Sequence, residues 1–338
     1  MKRPTIEDIA RRAGVSKGAV SYALNGRPGV SEATRNRVLA IAAELGWYPS
    51  SAARALSDGR AGALGLVVDR PARILGIEPF FMHLISGIEA ILSARSIALL
   101  LQVTEDQQTE MEIYRRWWAQ RRVDGVIVVD LQVDDPRIPL LESLGMPAIV
   151  VGGPDGLGSL PGVWSDDGAA IQSVVEYLAK LGHRRVARVA GPPTLRHTQV
   201  RTTAAQKAAQ EAGIPEITTI DTDYTGEAGG RATRTLLTQQ QPPTAIIYDN
   251  DVMAVAGVAV AHQMGIRIPD QLSIVAWEDS ALCELVHPAL TTVTRDVAEY
   301  GRHTAERLLD LIEGRTVTVE ATATPRLLVR GSTSYPPH

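Results

Sequence analysis

The sequence predicts two architectures in one chain: an all-α head of three short helices with a short hinge helix, and an α/β body of two lobes in which parallel sheets are flanked by helices. Three observations carry this. The first 46 residues hold three capped, amphipathic helical segments. After about residue 61 the pattern becomes short apolar, β-rich runs separated by helical periodicity. Charge also divides along the chain. Residues 1–60 hold 10 Lys/Arg against 5 Asp/Glu, a net of +5, whereas the whole chain has 34 against 38 and a net of −4. A small basic head on an acidic body points to a polyanionic partner for the head. The plain alternative is a solvated surface with random charge scatter.

A chain of 338 residues, 45% hydrophobic and 21% charged, has room for two or three domains with sizeable cores. Its single cysteine, Cys283, excludes an internal disulfide framework and fits a reducing compartment. The opening MKRPTIEDIARRAG lacks an apolar core of signal-peptide length, and no run approaches the roughly 18 apolar residues of a membrane span. The expected location is cytoplasmic, with no membrane partner.

In the head, Thr5 precedes IEDIARRAG as an N-cap, with Asp8 three residues on. Ile6, Ile9, Ala10 and Ala13 share one face, and Gly14 ends the helix. Ser16 caps a second helix reaching Leu24 or Asn25, with Ala19, Val20, Ala23 and Leu24 as its apolar stripe. Ser31 opens a third, with Val38, Ile41, Ala42 and Leu45 inside and Gly46 as the stop. Three short helices with a tight glycine turn between the first two describe a helix-turn-helix unit. In such a unit the second helix enters the major groove of DNA. Lys17, Gly18 and Tyr22 then face base edges, with Ala19 beside them, and Thr5, Ser16, Ser21 and Asn25 hold phosphates. Taken singly, Ser16 could be only a cap, Lys17 only solvated and Tyr22 only packed on a neighbour. Fold, charge and the polar helix end together favour DNA.

Within GWYPSSAARALSDGR, residues Ala52, Ala53, Ala55 and Leu56 make one or two helical turns, too short to stand alone. Two copies on one duplex could push an apolar wedge into the minor groove. A plain linker is the alternative.

The stretch from Thr5 to Leu56, TIEDIARRAGVSKGAVSYALNGRPGVSEATRNRVLAIAAELGWYPSSAARAL, strongly resembles the head of the LacI/GalR (lactose-repressor) family of bacterial transcription regulators, without gaps. The resemblance implies that Leu56 is the minor-groove wedge, with Ala53 and Arg54 beside it. Tyr22 is a departure, since the family often carries Arg there.

The body's runs are 63–68, 97–103, 125–130, 147–152, 185–191, 244–250 and 272–279, with amphipathic stretches such as FFMHLISGIEAILSARS between them. Continuous buried runs alternating with helices mean parallel sheets, and ligands bind off the carboxyl ends of such strands. Asp249, Asn250 and Asp251 follow one run, and Trp277, Glu278 and Asp279 follow another. Arg201 lies in the helix after VAGPPT, Trp164 near a crossing between lobes, and Tyr224 after ITTI. Carboxylate, amide and guanidinium groups with flat rings suit a polyhydroxylated ligand. Asp249 and Asp251 could instead cap the helix from Val252, and Trp277 could be core.

LGHRRVARVAGP, AIIYDNDVMAVAGVAVAHQMGIRIPDQLSIVAWEDS and HPALTTV resemble the same family's effector core, which is similar to periplasmic sugar-binding proteins. The resemblance implies effector contacts at Arg201, Asn250 and Glu278, and a pocket lined by Trp164, Tyr224 and the 79–82 segment with Pro79, Phe80 and Met82. Glu278 stands for a commoner Asp, and Gly152 stands where some sugar-binding members carry an acid.

The expected division is a helix-turn-helix domain over 1–48, a hinge over 49–61 and a core over 62–338. Its first lobe is 62–160 with 292–322 and its second 161–291 with 323–338. No G-x-S-x-G, Walker lysine loop or His/Cys metal spacing occurs, so no enzyme, metal or cofactor is expected. The expected partners are a palindromic double-stranded operator, a second copy of the chain, and a mono- or oligosaccharide. The competing ligand is a purine or nucleoside, and the competing role a sugar-binding receptor. The tail GSTSYPPH carries no heptads, which favours a dimer over a coiled-coil tetramer.

Overall fold

The computed structural model describes residues 4–47, 59–70 and 75–337. The chain divides into two compact units, Met1–Ala61 and Gly62–His338.

The first unit holds α1 (Ile6–Ala13), α2 (Lys17–Leu24) and α3 (Glu32–Glu44). Each starts where a short polar side chain satisfies free N–H groups. Thr5 and Asp8 form a reciprocal capping box, Ser16 accepts from the Ala19 N–H at 3.1 Å, and Ser31 accepts from Thr34. Gly14 ends α1 with φ 67°, the left-handed conformation that lets the chain turn sharply into α2. Ile9, Val20 and Val38, one from each helix, are fully buried and meet in a core filled out by Ala10, Ala13, Ala23 and Ala42. The hinge positions Ala53, Arg54 and Leu56 lie outside the described residues.

The second unit is built on two six-stranded sheets. The first comprises β1 (Ala63–Asp69), β2 (Ala98–Thr104), β3 (Gly125–Val128), β4 (Ala148–Val151), β5 (Gly162–Trp164) and β11 (Glu320–Ala321), in the order β11-β5-β4-β3-β1-β2. The second comprises β6 (Val186–Ala190), β7 (Ile217–Asp221), β8 (Ala245–Tyr248), β9 (Ser273–Trp277), β10 (Thr291–Thr294) and β12 (Arg326–Leu328), in the order β12-β10-β9-β8-β6-β7. Every pairing is parallel except β10 with β12. All seven expected runs are strands, and the central ones are buried along their whole length, as a sheet covered on both faces requires.

The lobe boundaries differ from expectation. β5 pairs with β4 in the first sheet, so the chain leaves the first lobe after Trp164 and not at 160/161. β10 pairs with β9 in the second sheet, so the return crossing follows Thr294 and not 291/292. Strands of three or four residues at a crossing are too short to show a period, and the partner strand alone decides their membership.

Helices cover both faces. On the first sheet, α4 (Pro79–Ala94) crosses α12 (Val297–Ile312) where Gly87 and Gly301 face each other's backbone. A Cβ on Gly87 would enter the Ala298 carbonyl, and one on Gly301 the Leu84 carbonyl, so glycine sets the closeness of this crossing.

Candidate functional site

Seven strand ends deliver polar residues to one place. A cleft of about 290 Å³ lies between the two lobes of the body. Arg70 arrives after β1, Asp130 after β3, Ser165 and Asp167 after β5, Tyr224 after β7, Asn250 after β8, Glu278 after β9 and Arg295 after β10. This is the carboxyl-end crevice of parallel sheets, doubled.

Arg201, on α8 (Arg196–Glu211), is 3% exposed. Its Nε and Nη2 donate to Asp167 Oδ2 at 2.8 and 2.6 Å, and its guanidinium lies 3.8 Å over the Trp277 ring. Burial alone would raise the Asp167 carboxyl, but the Arg201 and Arg295 guanidiniums outweigh it and hold the group below the usual carboxylate range. Arg295 is the joint of the site. Its Nη2 donates to Glu278 Oε1 at 2.6 Å and its Nη1 to Ser165 Oγ at 2.7 Å. Asp249 is buried against Arg188, whose Nε donates to it at 2.8 Å.

Asn250 is the cap of α10 (Asp251–Gln263): Oδ1 accepts from the Met253 N–H at 2.8 Å and Nδ2 donates to the Tyr224 carbonyl at 3.0 Å. The cap is therefore Asn250 and neither neighbouring Asp. Tyr224 has φ 68°, its hydroxyl lies 2.7 Å from His197 Nε2, and Arg70 sits 4.9 Å over its ring from the opposite lobe. Burial and the Arg201 charge push His197 down to about 4, so it is neutral near pH 7. Arg70 Nη2 is 2.9 Å from Asp130. Glu78 is buried beside this pair, and burial raises it to about 7 against the pull of Arg70. Among the described residues, Glu78 Oε2, Glu278 Oε2, Arg70 Nε and Trp277 Nε1 are buried without a hydrogen bond.

Of the expected ligand residues, Phe80, Trp164, Arg201, Tyr224, Asn250 and Glu278 line this cleft. Pro79 and Met82 do not. Pro79 is the first residue of α4, and the helical turn that buries Phe81 carries Met82 to the outer side, where it is 57% exposed. Trp277 is buried as core yet presents its ring to Arg201. Gly152 has φ 138°, so an acid at that position would need a backbone that L-residues rarely adopt. Sequence reasoning missed Arg70, Glu78, Asp130, Asp167, His197 and Arg295. Arg70 and Asp130 follow recognised runs and were open to the same reading as Asn250.

In the head, α2 shows an exposed polar end. Lys17 is exposed with Nζ 3.1 Å from Glu7, Gly18 is open, Ala19 is half-buried, and Tyr22 is 45% exposed with its ring along Gly29. Thr5 Oγ1 donates to Asp8 at 2.7 Å, and Asn25 Nδ2 donates to Ser21 Oγ at 3.4 Å. Among the described residues no group of three or more His, Cys, Asp or Glu is placed to hold a metal, and no helix is long and apolar enough to cross a membrane.

A helix-turn-helix head on a two-lobed, periplasmic-binding-protein-like body defines the class of DNA-binding regulators with a ligand-binding core. Residues 5–50 match the model for bacterial regulatory proteins of the lacI family, and residues 175–333 match the periplasmic binding protein-like domain. The HTH-type transcriptional regulator CelR of Thermobifida fusca is 32% identical over 336 residues, 98% of each chain. The HTH-type transcriptional repressor PurR of Erwinia tasmaniensis is 30% identical over 345 residues, 99% of this chain and 98% of that one. Among solved structures, the CelR–cellobiose complex is 30% identical with a TM-score of 0.74, covering 98% of this chain and all of that one. The lac repressor dimer bound to operator and the anti-inducer ONPF is 25% identical with a TM-score of 0.87 and the same coverage. The chain belongs to the LacI family. It is a DNA-binding transcriptional regulator and not an enzyme.

Proposed function

We propose that the protein is a repressor whose affinity for a palindromic operator is set by a mono- or oligosaccharide held between the lobes of its body. The observation that carries the ligand class is the lining of the cleft. Phe80, Trp164, Tyr224 and Trp277 supply rings, while unbonded acceptors on Glu78 and Glu278 and unbonded donors on Arg70 and Trp277 are distributed around them. A sugar hydroxyl donates and accepts at once, so a ring of hydroxyls suits mixed groups on several sides better than the flat edge of a purine does. The CelR neighbour's complex with cellobiose supports the same class, and a purine or nucleoside is the rival ligand.

On the DNA side, Lys17, Gly18, Ala19 and Tyr22 read base edges and Thr5, Ser16, Ser21 and Asn25 hold phosphates, with Leu56 as the hinge wedge and Ala53 and Arg54 beside it. The unit of action is a homodimer. A surface suited to it is the open edge of β2, last strand of its sheet, where Leu101 and Val103 are exposed along with Met82 of α4. For ligand to control DNA it must bind two arrangements of the lobes unequally, and operator and ligand then weaken or strengthen each other reciprocally.

A thermal-shift screen against mono- and disaccharides, sugar phosphates, nucleosides and purines tests the ligand class. A ligand at 100 times its Kd adds about 2.7 kcal/mol, an easily visible shift. A shift with sugars supports the reading, and a shift only with purines or nucleosides overturns it.

A further inference from the structure

Glu78 is the residue at which the cleft asks for more than a hydroxyl. It precedes α4 in the N-cap position, yet its side chain makes no cap bond. The side chain instead lines the cleft and is 9% exposed. Its Oε2 has no hydrogen bond from any described residue. The nearest guanidinium, Arg70, stands 3.9 Å away by its Nε and is already engaged with Asp130 at 2.9 Å. Asp130, Asp251 and Glu278 all add negative potential at Glu78. Glu278 gives one oxygen to Arg295 and leaves the other unbonded. A buried carboxyl in such company either holds a proton or, when ionised, takes a partner that brings charge as well as hydrogens.

We propose that Glu78 forms a subsite for a protonated amino group, so that the effector is an amino sugar, free or within a short oligosaccharide. This rests on the sugar reading of the same cleft. An ammonium supplies three N–H donors and the missing positive charge. An N-acetylated sugar supplies neither the charge nor the three donors, and a phosphorylated one adds repulsion.

The test is calorimetric titration of the full-length protein. The probes are D-glucosamine, D-galactosamine and D-mannosamine, each beside its parent hexose, its N-acetyl derivative and its 6-phosphate. The β-1,4 dimers of glucosamine, N-acetylglucosamine and glucose are run in parallel. One amine is expected to bind at least about tenfold tighter than its uncharged counterparts, with the 6-phosphate weaker than the parent amine. In Glu78→Gln the ratio of amine to parent affinity is expected to fall about tenfold. Should that variant not fold, the wild-type ratio decides alone. Neutral sugars binding as well as or better than amines overturns the ammonium subsite and leaves the sugar reading standing. No binding by any sugar, with binding by a nucleoside or purine, overturns both.

Discussion

Replacing Glu78 by Gln isolates one buried carboxyl in a measurement of stability against pH. The side chain keeps its volume and loses its charge. In the folded protein burial lifts this carboxyl from its ordinary 4.5 to about 7, the Arg70 attraction notwithstanding. Between those values the folded chain holds a proton that the unfolded chain has released. The folded state therefore binds more protons, and stability falls as pH rises through the window. The interval from 4.5 to about 7, at roughly 1.4 kcal/mol per pH unit, amounts to about 3 kcal/mol lost by pH 8. Glutamine does not ionise and escapes the loss. Wild type and Glu78→Gln are expected to differ little at pH 4.5, and the variant to be more stable by about 3 kcal/mol at pH 8. Urea unfolding followed by tryptophan fluorescence is a suitable assay, because four of the five tryptophans, at 117, 118, 164 and 277, lie in the body. Other titrating groups contribute to both chains and cancel in the difference. Parallel stability curves from pH 4.5 to 8 would refute the reasoning.

The other predictions concern both units. Arg201→Ala strips a guanidinium from buried Asp167 and should cost about 3–5 kcal/mol along with ligand affinity, read by urea unfolding and calorimetry. Glu278→Ala should abolish the ligand response while operator binding persists; unchanged ligand affinity in both variants would remove this cleft as the ligand site. Leu56→Ala should weaken operator binding in a gel-shift assay and leave ligand affinity as it was, and normal operator affinity would sink the wedge. Gly301→Ala drives a methyl into the Leu84 carbonyl at the α4–α12 crossing and should cost about 1–3 kcal/mol in a thermal melt. Ser16→Ala removes the α2 cap, worth about 0.5–2 kcal/mol, and should lower operator affinity as the DNA-reading helix frays.

What was legible in the sequence follows from how local each signal is. The head's helices are announced by residues three apart, Thr5 with Asp8, Ser16 with Ala19 and Ser31 with Thr34, and each cap stands where its spacing put it. The central strands are announced by unbroken apolar runs. Strand pattern made the cleft legible where a recognised strand delivered a residue, as β8 does Asn250 and β9 does Glu278, while Phe80, Trp164, Arg201 and Tyr224 were assigned to it through the family resemblance. β5 and β10 are too short to show a pattern, and β10 reads as the polar string TTVT although three of its four residues are buried. Asp167 and Arg295 follow those two strands and were hidden with them. Asp166 and Asp167 are adjacent, yet Asp166 caps α7 (Asp167–Lys180) while Asp167 turns inward to Arg201, 34 residues away. Partnerships across that distance are set by tertiary packing, and no local spacing encodes them. The same holds for Glu78. Its neighbours Pro79 and Phe80 advertise a helix start, but the charges it faces come from beyond the ends of four strands, β1, β3, β8 and β9. The specificity of this cleft is therefore a property of where strands end, and single substitutions at those ends can change the ligand without disturbing the apolar runs that build the fold.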